Sequence, residues 1–121
     1  MKILMVCLGN ICRSPMAEGI MREKITKYNL KAKVDSAGFE SFHLNDTPDY
    51  RAIKVMSQHG IDISRHRMRL FQENDFQEFD RIYVMDQYNF QDVLSVSKSK
   101  EDSDKVDLIL NVLEPGKNKI C

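Results

Sequence analysis

The sequence predicts an α/β fold, a doubly wound four-stranded parallel sheet with helices on both faces. Two observations carry this: strand-like apolar runs alternate with stretches of helical periodicity along the chain, and the first run, Ile3 to Val6, is continuously apolar, the pattern of a strand buried on both faces. A helix follows that run almost at once. Ser14 suits an N-cap, Pro15 suits the first helical position, and Ala17, Ile20, Met21, Ile25 and Tyr28 recur at helical spacing, so an amphipathic helix is expected from residue 14 to about 28. Ala32 to Ser36 alternates as a second strand and runs into the loop Ala37-Gly38. Thr47-Pro48 repeats the cap-then-proline signal and opens a helix that stops near Gly60. Arg81 to Met85 reads as the third strand, Asp86 as the cap of a helix containing Phe90, Val93 and Leu94, and Val106 to Leu110 as the fourth strand. Ser95 to Asp104, rich in Ser, Lys and Asp, reads as a surface connection, and there is no internal repeat.

A chain of 121 residues with 42% hydrophobic content is enough for one domain, residues 1–121, with one core of modest size. Eighteen basic against eighteen acidic side chains give zero formal charge, which argues against nucleic acid and anionic membranes as partners. The opening Met1-Lys2-Ile3-Leu4-Met5-Val6 is too short and too soon interrupted for a signal peptide or a spanning helix. An odd count of three cysteines reads as free thiols in a reducing compartment, so a cytoplasmic location is expected. The spacing of Cys7 and Cys12 suits zinc, but no second Cys or His pair stands at ligand spacing, and neither metal nor cofactor is expected.

Ligands of open α/β sheets bind beyond the carboxyl ends of the strands, and Cys7-Leu8-Gly9-Asn10-Ile11-Cys12-Arg13-Ser14 holds that place between the first strand and first helix. An anion there meets the positive end of a helix dipole and the backbone N–H groups of Leu8, Gly9, Asn10, Ile11, Cys12 and Arg13. Gly9 allows a tight reversal, and Asn10 tolerates the left-handed backbone that such a loop needs. Arg13 adds a planar fork that grips two phosphate oxygens. The field that holds phosphate also favours a thiolate at Cys7, making it a nucleophile, and Ser14 is placed to donate a hydrogen bond to the sulfur. Cys12, in the same loop, is a candidate to capture an oxidised Cys7 as a disulfide.

These residues resemble the phosphate loop of the low-molecular-weight protein tyrosine phosphatases. The resemblance extends through Val34-Asp35-Ser36-Ala37-Gly38, Pro48-Asp49, His59-Gly60-Ile61, His66 with Arg69, and Met85-Asp86 with Asn89. It implies Cys7 as nucleophile, Arg13 as phosphate clamp, a network of Asn10, Ser14, Ser36 and His66 supporting the loop, and Phe42 as an aromatic wall for the substrate ring. It also implies a phosphotyrosine-containing protein or small aryl phosphate as substrate, since Ile11 is similar to the tyrosine phosphatases where the related arginine phosphatases carry threonine. Read from the residues alone, Asp35 and Ser36 do no more than end a strand, Phe42 suits a core equally well, and the basic stretch around His66 suits a solvated face.

One departure from the family pattern concerns the general acid, an aspartate in an Asp-Pro-Tyr segment after the last strand. The sequence contains no Asp-Pro pair, and Glu114-Pro115 is the nearest approach. With no closing helix after the last strand, the expectation is that the polypeptide continues past Cys121, that a partner covers the sheet, or that this form lacks the proton donor. Two other readings follow: a phosphotyrosine-binding or anion-binding module without efficient turnover, and an arsenate reductase. The latter needs two further relay cysteines, and Met85 to Asn111 contains none.

Overall fold

The computed structural model describes residues 1–10, 12–40 and 44–112, so Ile11, Phe42 and Glu114 lie outside the described residues. The elements run β1 (Lys2–Val6), α1 (Arg13–Lys27), β2 (Lys33–Ala37), α2 (Tyr50–Gln58), α3 (Asp75–Glu78), β3 (Arg81–Val84), α4 (Gln87–Val96), α5 (Lys100–Asp104) and β4 (Val106–Leu108), followed by a 3-10 turn at Ile109–Val112. Four parallel strands form one sheet in the order β2-β1-β3-β4. The chain moves outward from β1 to β2 and then returns past β1 to β3, so the strand order reverses at β1. That reversal is the point at which open α/β sheets bind ligands.

Alternation along β1 divides its side chains between two cores. Leu4 and Val6 point to one face, where they pack with Ile82, Val84, Val106 and Leu108 against Phe71, Phe76 and Val93. Ile3, Met5 and Cys7 point to the other, with Val34 and Met85, and are covered by Ala17, Met21 and Ile25 of α1. Burial on both faces explains why the run is apolar at every position instead of every second one. A smaller cluster of Ala52, Met56 and Ile63 binds α2 to Met16 of α1. Gly19 permits that approach, because a Cβ there would stand 2.7 Å from an Ile63 methyl.

Several boundaries differ from the sequence reading. Helix α1 starts at Arg13 with Cys12 as its N-cap, so Ser14 lies inside the first turn and its hydroxyl is turned into the protein. Pro15 falls at the third helical position, where its missing N–H still has no intrahelical partner to lose. Ile20 and Tyr28 are 46% and 60% exposed, while Glu18 on the same helix is 4% exposed, so the buried face of α1 is partly polar. Asp49, not Thr47, caps α2, its carboxylate accepting from Arg51 N at 2.8 Å. β4 stops at Leu108, and the segment 95–104 is largely helical: α4 runs to Val96, and Ser99 caps α5 by accepting from Asp102 N. Short helices such as α3 and α5 carry too few residues for a periodic signal and rest on caps and tertiary packing. Asp86 caps α4 as expected, accepting from Asn89 N at 2.9 Å.

Candidate active site

Cys7 extends the central strand by one residue, donating its N–H to Ala37 O at 3.3 Å, and is 3% exposed. The loop that follows is fixed from its flanks. Leu8 O accepts from Phe39 N and Glu40 N at 2.8 and 3.0 Å. The Asn89 carboxamide sits between Asp86 Oδ1 and the Leu8 N–H, 3.2 Å from each, so its nitrogen faces the carboxylate and its oxygen accepts from Leu8. The reversal itself falls on Asn10, at φ 53°, a left-handed conformation that asparagine tolerates better than other side-chain-bearing residues. That conformation turns Asn10 N–H back onto Cys7 Sγ at 3.2 Å.

The side chain of Asn10 gives the surrounding hydrogen bonds a direction. Its Oδ1 faces Arg69 N at 3.2 Å and His66 Nε2 at 3.0 Å, and its Nδ2 faces Ser14 Oγ at 2.7 Å. A backbone N–H can only donate, so the atom facing Arg69 is the amide oxygen, and the His66 nitrogen facing it carries a proton. The amide nitrogen can only donate, so Ser14 Oγ accepts from it and its own proton remains available to Cys7 Sγ, 2.9 Å away. The sulfur thus faces Asn10 N–H and a Ser14 hydroxyl free to donate to it. It stands behind the N-terminal turn of α1, at the positive end of that helix's dipole.

A second layer supports this chain. Ser36 Oγ donates to Glu18 Oε1 at 2.6 Å, and His66 Nδ1 lies 3.6 Å from the same oxygen, while Arg22 pairs with the other carboxylate oxygen. Ser36 therefore joins the network through Glu18 and His66. Burial pushes the His66 pKa below its ordinary value, against the pull of the Glu18 and Asp35 carboxylates. Glu18 was missed in the sequence because a charged residue on an amphipathic helix reads as solvent-facing. The available signal was the polar stripe Ser14, Glu18, Arg22, which repeats at four-residue spacing and so shares one face with the loop serine.

Arg13, the first residue of α1, donates from Nη1 to Asp86 Oδ2 at 2.9 Å. Asp86 thus caps α4 with one oxygen and holds the guanidinium with the other. Burial raises the Asp86 pKa, but the Asn89 N–H and Arg13 outweigh it and hold the carboxyl below its usual range. Cys12 is exposed, and its thiol is pushed up by burial of part of its surface and by the nearby Asp49 and Cys7, against Arg51 and Arg13. Among the described residues, no group of three His, Cys, Asp or Glu side chains is arranged to hold a metal ion.

A parallel α/β sheet with a cysteine just past the end of β1 and an arginine opening the next helix brings a thiol, a guanidinium and a helix N-terminus to one end of the sheet. The model of the low molecular weight phosphotyrosine protein phosphatases matches residues 2–119, and the chain belongs to that family. A Schizosaccharomyces pombe relative named as a low molecular weight phosphotyrosine protein phosphatase is 38% identical over 122 aligned positions, covering 98% of this chain and 77% of the relative. Among solved structures, a protein tyrosine phosphatase from Entamoeba histolytica superposes with a TM-score of 0.87 at 36% identity, covering 92% of this chain and 71% of that one. The Drosophila arginine phosphatase superposes with a TM-score of 0.89 at 34% identity, covering 99% and 78% of the two chains.

Gly38 lies where the end of β2 passes beneath the loop, and a Cβ there would stand 2.7 Å from Leu8 O and 2.9 Å from Asn10 Cβ. Neither neighbour is the end of a flexible side chain, so the loop itself would have to move. Gly38→Ala is expected to lower stability by about 1–3 kcal/mol, as overpacking does. It should also reduce turnover of p-nitrophenyl phosphate well beyond the loss of folded protein. Urea unfolding and initial rates on the same preparation separate the two effects, and unchanged turnover per folded molecule would show that the loop tolerates the shift.

Proposed function

We propose that the protein hydrolyses phosphotyrosine in proteins, or small aryl phosphates, through a cysteinyl-phosphate intermediate formed on Cys7. The observation that carries this reading is the sulfur of Cys7 at the end of the central strand, facing two hydrogen-bond donors and standing behind the first turn of α1. The thiolate attacks phosphorus as the ester P–O bond breaks, the phenol oxygen leaves with the bonding pair and takes a proton, and water then displaces the sulfur to release phosphate. Loop amides and Arg13 hold the three equatorial oxygens throughout, and swinging Arg13 from Asp86 onto phosphate exchanges one charge-assisted bond for others. Phosphotyrosine is favoured over phosphoarginine by Ile11, since the arginine phosphatase shares the fold equally well and the fold does not discriminate. No helix among the described residues is long and apolar enough to cross a membrane, and free thiols at Cys7 and Cys12 fit a cytoplasmic setting.

The direct test is substitution at the two reacting positions. Cys7→Ser abolishes turnover while inorganic phosphate still binds, and Arg13→Lys lowers kcat/KM by about 10²-fold or more because a point charge replaces a two-pronged grip. Near wild-type turnover by Cys7→Ser would remove the nucleophile from this reading.

Residues 1–121 contain no Asp-Pro pair, so a polypeptide of these residues tests whether one of them protonates the leaving group. A positioned acid contributes about 10²–10⁴ in rate. The 121-residue chain should therefore hydrolyse esters of acidic phenols far better than phosphotyrosine, with log kcat/KM falling steeply as the phenol becomes less acidic. A flat dependence would show that a residue present here, with Glu114 the first to replace, supplies the proton.

Cys12 is proposed as the partner that protects Cys7 from overoxidation. Hydrogen peroxide at low dose oxidises Cys7 to the sulfenic acid, and the Cys12 thiol then displaces water to form a disulfide that dithiothreitol reduces. Peptide mapping after peroxide treatment should find the Cys7–Cys12 cross-link, and a Cys7 sulfonate without it would dismiss the role.

A further inference from the structure

Arg69 directs most of its guanidinium into the protein. Nε donates to Asp35 Oδ2 at 3.2 Å, Nη1 to Asp75 Oδ2 at 3.1 Å and to Leu70 O at 3.3 Å, and Nη2 to Asp75 Oδ1 at 3.2 Å, while Nη2 also lies within ion-pair distance of Asp35 Oδ2 at 3.2 Å. Four of the five N–H groups are thereby spent within the protein. Asp75, whose side chain is 9% exposed, also accepts from Gln72 N at 2.8 Å. The pair of carboxylates comes from two separate elements, Asp35 from the middle of β2 and Asp75 from the first turn of α3.

The backbone of the same residue runs along the edge of the loop. Arg69 N donates to Asn10 Oδ1 at 3.2 Å, Arg69 O accepts from Gly38 N at 2.9 Å, and Phe71 N donates to Gly38 O at 2.7 Å. Residues 69–71 therefore continue the sheet beside the end of β2, bridged Gly38 to Leu70 in parallel sense. The geometry points to Arg69, gripped by Asp35 and Asp75, as a positioning residue that sets the Asn10 amide and, through Ser14, the proton directed at Cys7. This inference rests on the reading of Cys7 as the nucleophile.

A cluster of half-buried charges is a poor way to gain stability, since desolvation offsets much of its attraction. What it supplies here is placement. The bidentate fork and the Leu70 carbonyl lock the residue whose N–H is one of two donors on Asn10 Oδ1. Loosening the fork frees that N–H to drift, and the amide then holds Ser14 less firmly in the orientation that aims its proton at the sulfur.

The test reads Cys7 without phosphatase turnover, so a wrong substrate assignment leaves it interpretable. The rate of Cys7 alkylation by iodoacetamide is followed against pH by tandem mass spectrometry, which distinguishes Cys7 from Cys12. Asp75→Asn should move the alkylation profile to higher pH by about half a unit or more. In a Ser14→Ala background, where the hydroxyl is already gone, adding Asp75→Asn should move it no further. Asp35→Asn, at the more exposed carboxylate, is read in the same two backgrounds and keeps the test open if Asp75→Asn is too unstable to assay. An unmoved profile accompanied by a lower Tm would reduce the cluster to a stability element. Equal shifts with and without Ser14 would show that it acts on the sulfur by some route other than Asn10 and Ser14, and would also overturn the inference.

Discussion

The side chain of Asn10 has no exposure to solvent and takes hydrogen bonds on both ends, so its amide has one orientation and cannot turn over. From that constraint the rest of the site follows. The oxygen end collects Arg69 and His66, the nitrogen end fixes Ser14, and Ser14 is left with one place to put its proton. The same residue supplies the left-handed turn that brings its own N–H onto the sulfur. Backbone conformation and side-chain polarity are thus decided by a single position, and few residue types meet both demands.

The scaffold meets this hub from three sides. β1 delivers the sulfur, β2 passes close enough beneath the loop that a glycine is needed at its end, and the segment after α2 contributes Arg69 and His66. On the far side, Asp86 joins the start of α4 to the start of α1 through Arg13. Helix N-termini therefore converge on the loop, and each is tied to it by a side chain of opposite or matching polarity. Rigid support of this kind is what a reacting group needs if it is to be held in place before substrate arrives.

Much of this was legible in the sequence because the signals are local. A continuous apolar run gives a buried strand, Gly and Asn within the next few residues give the loop, and Asp86 before a periodic stretch gives a cap. Boundaries shifted where a local cue was put to another use. Ser14 looks like a cap, but its hydroxyl is committed to the sulfur, and the helix begins without a side-chain cap. The parts that stayed hidden depend on distant partners. Glu18 is buried because Ser36 and Arg22 satisfy it, and Asp75 because Arg69 does. Helical periodicity does not report a partner on another element, and burial of a carboxylate violates the pattern that identifies helices in the first place.

The packing of Cys7 has a consequence for how the molecule moves. Its side chain belongs to the core beneath α1, and its N–H to the ladder between β1 and the edge strand β2. A loop anchored in that way has no inexpensive mode of opening of its own, since releasing the sulfur means parting β1 from β2 or lifting α1 from the sheet. Native-state opening of the loop is therefore tied to the most cooperative unit of the domain instead of its fraying surface. Destabilising changes far from the sulfur, at Leu4 or Val84 for example, would be felt at Cys7 as a larger fraction of time spent disassembled, with the geometry of the assembled site unaltered.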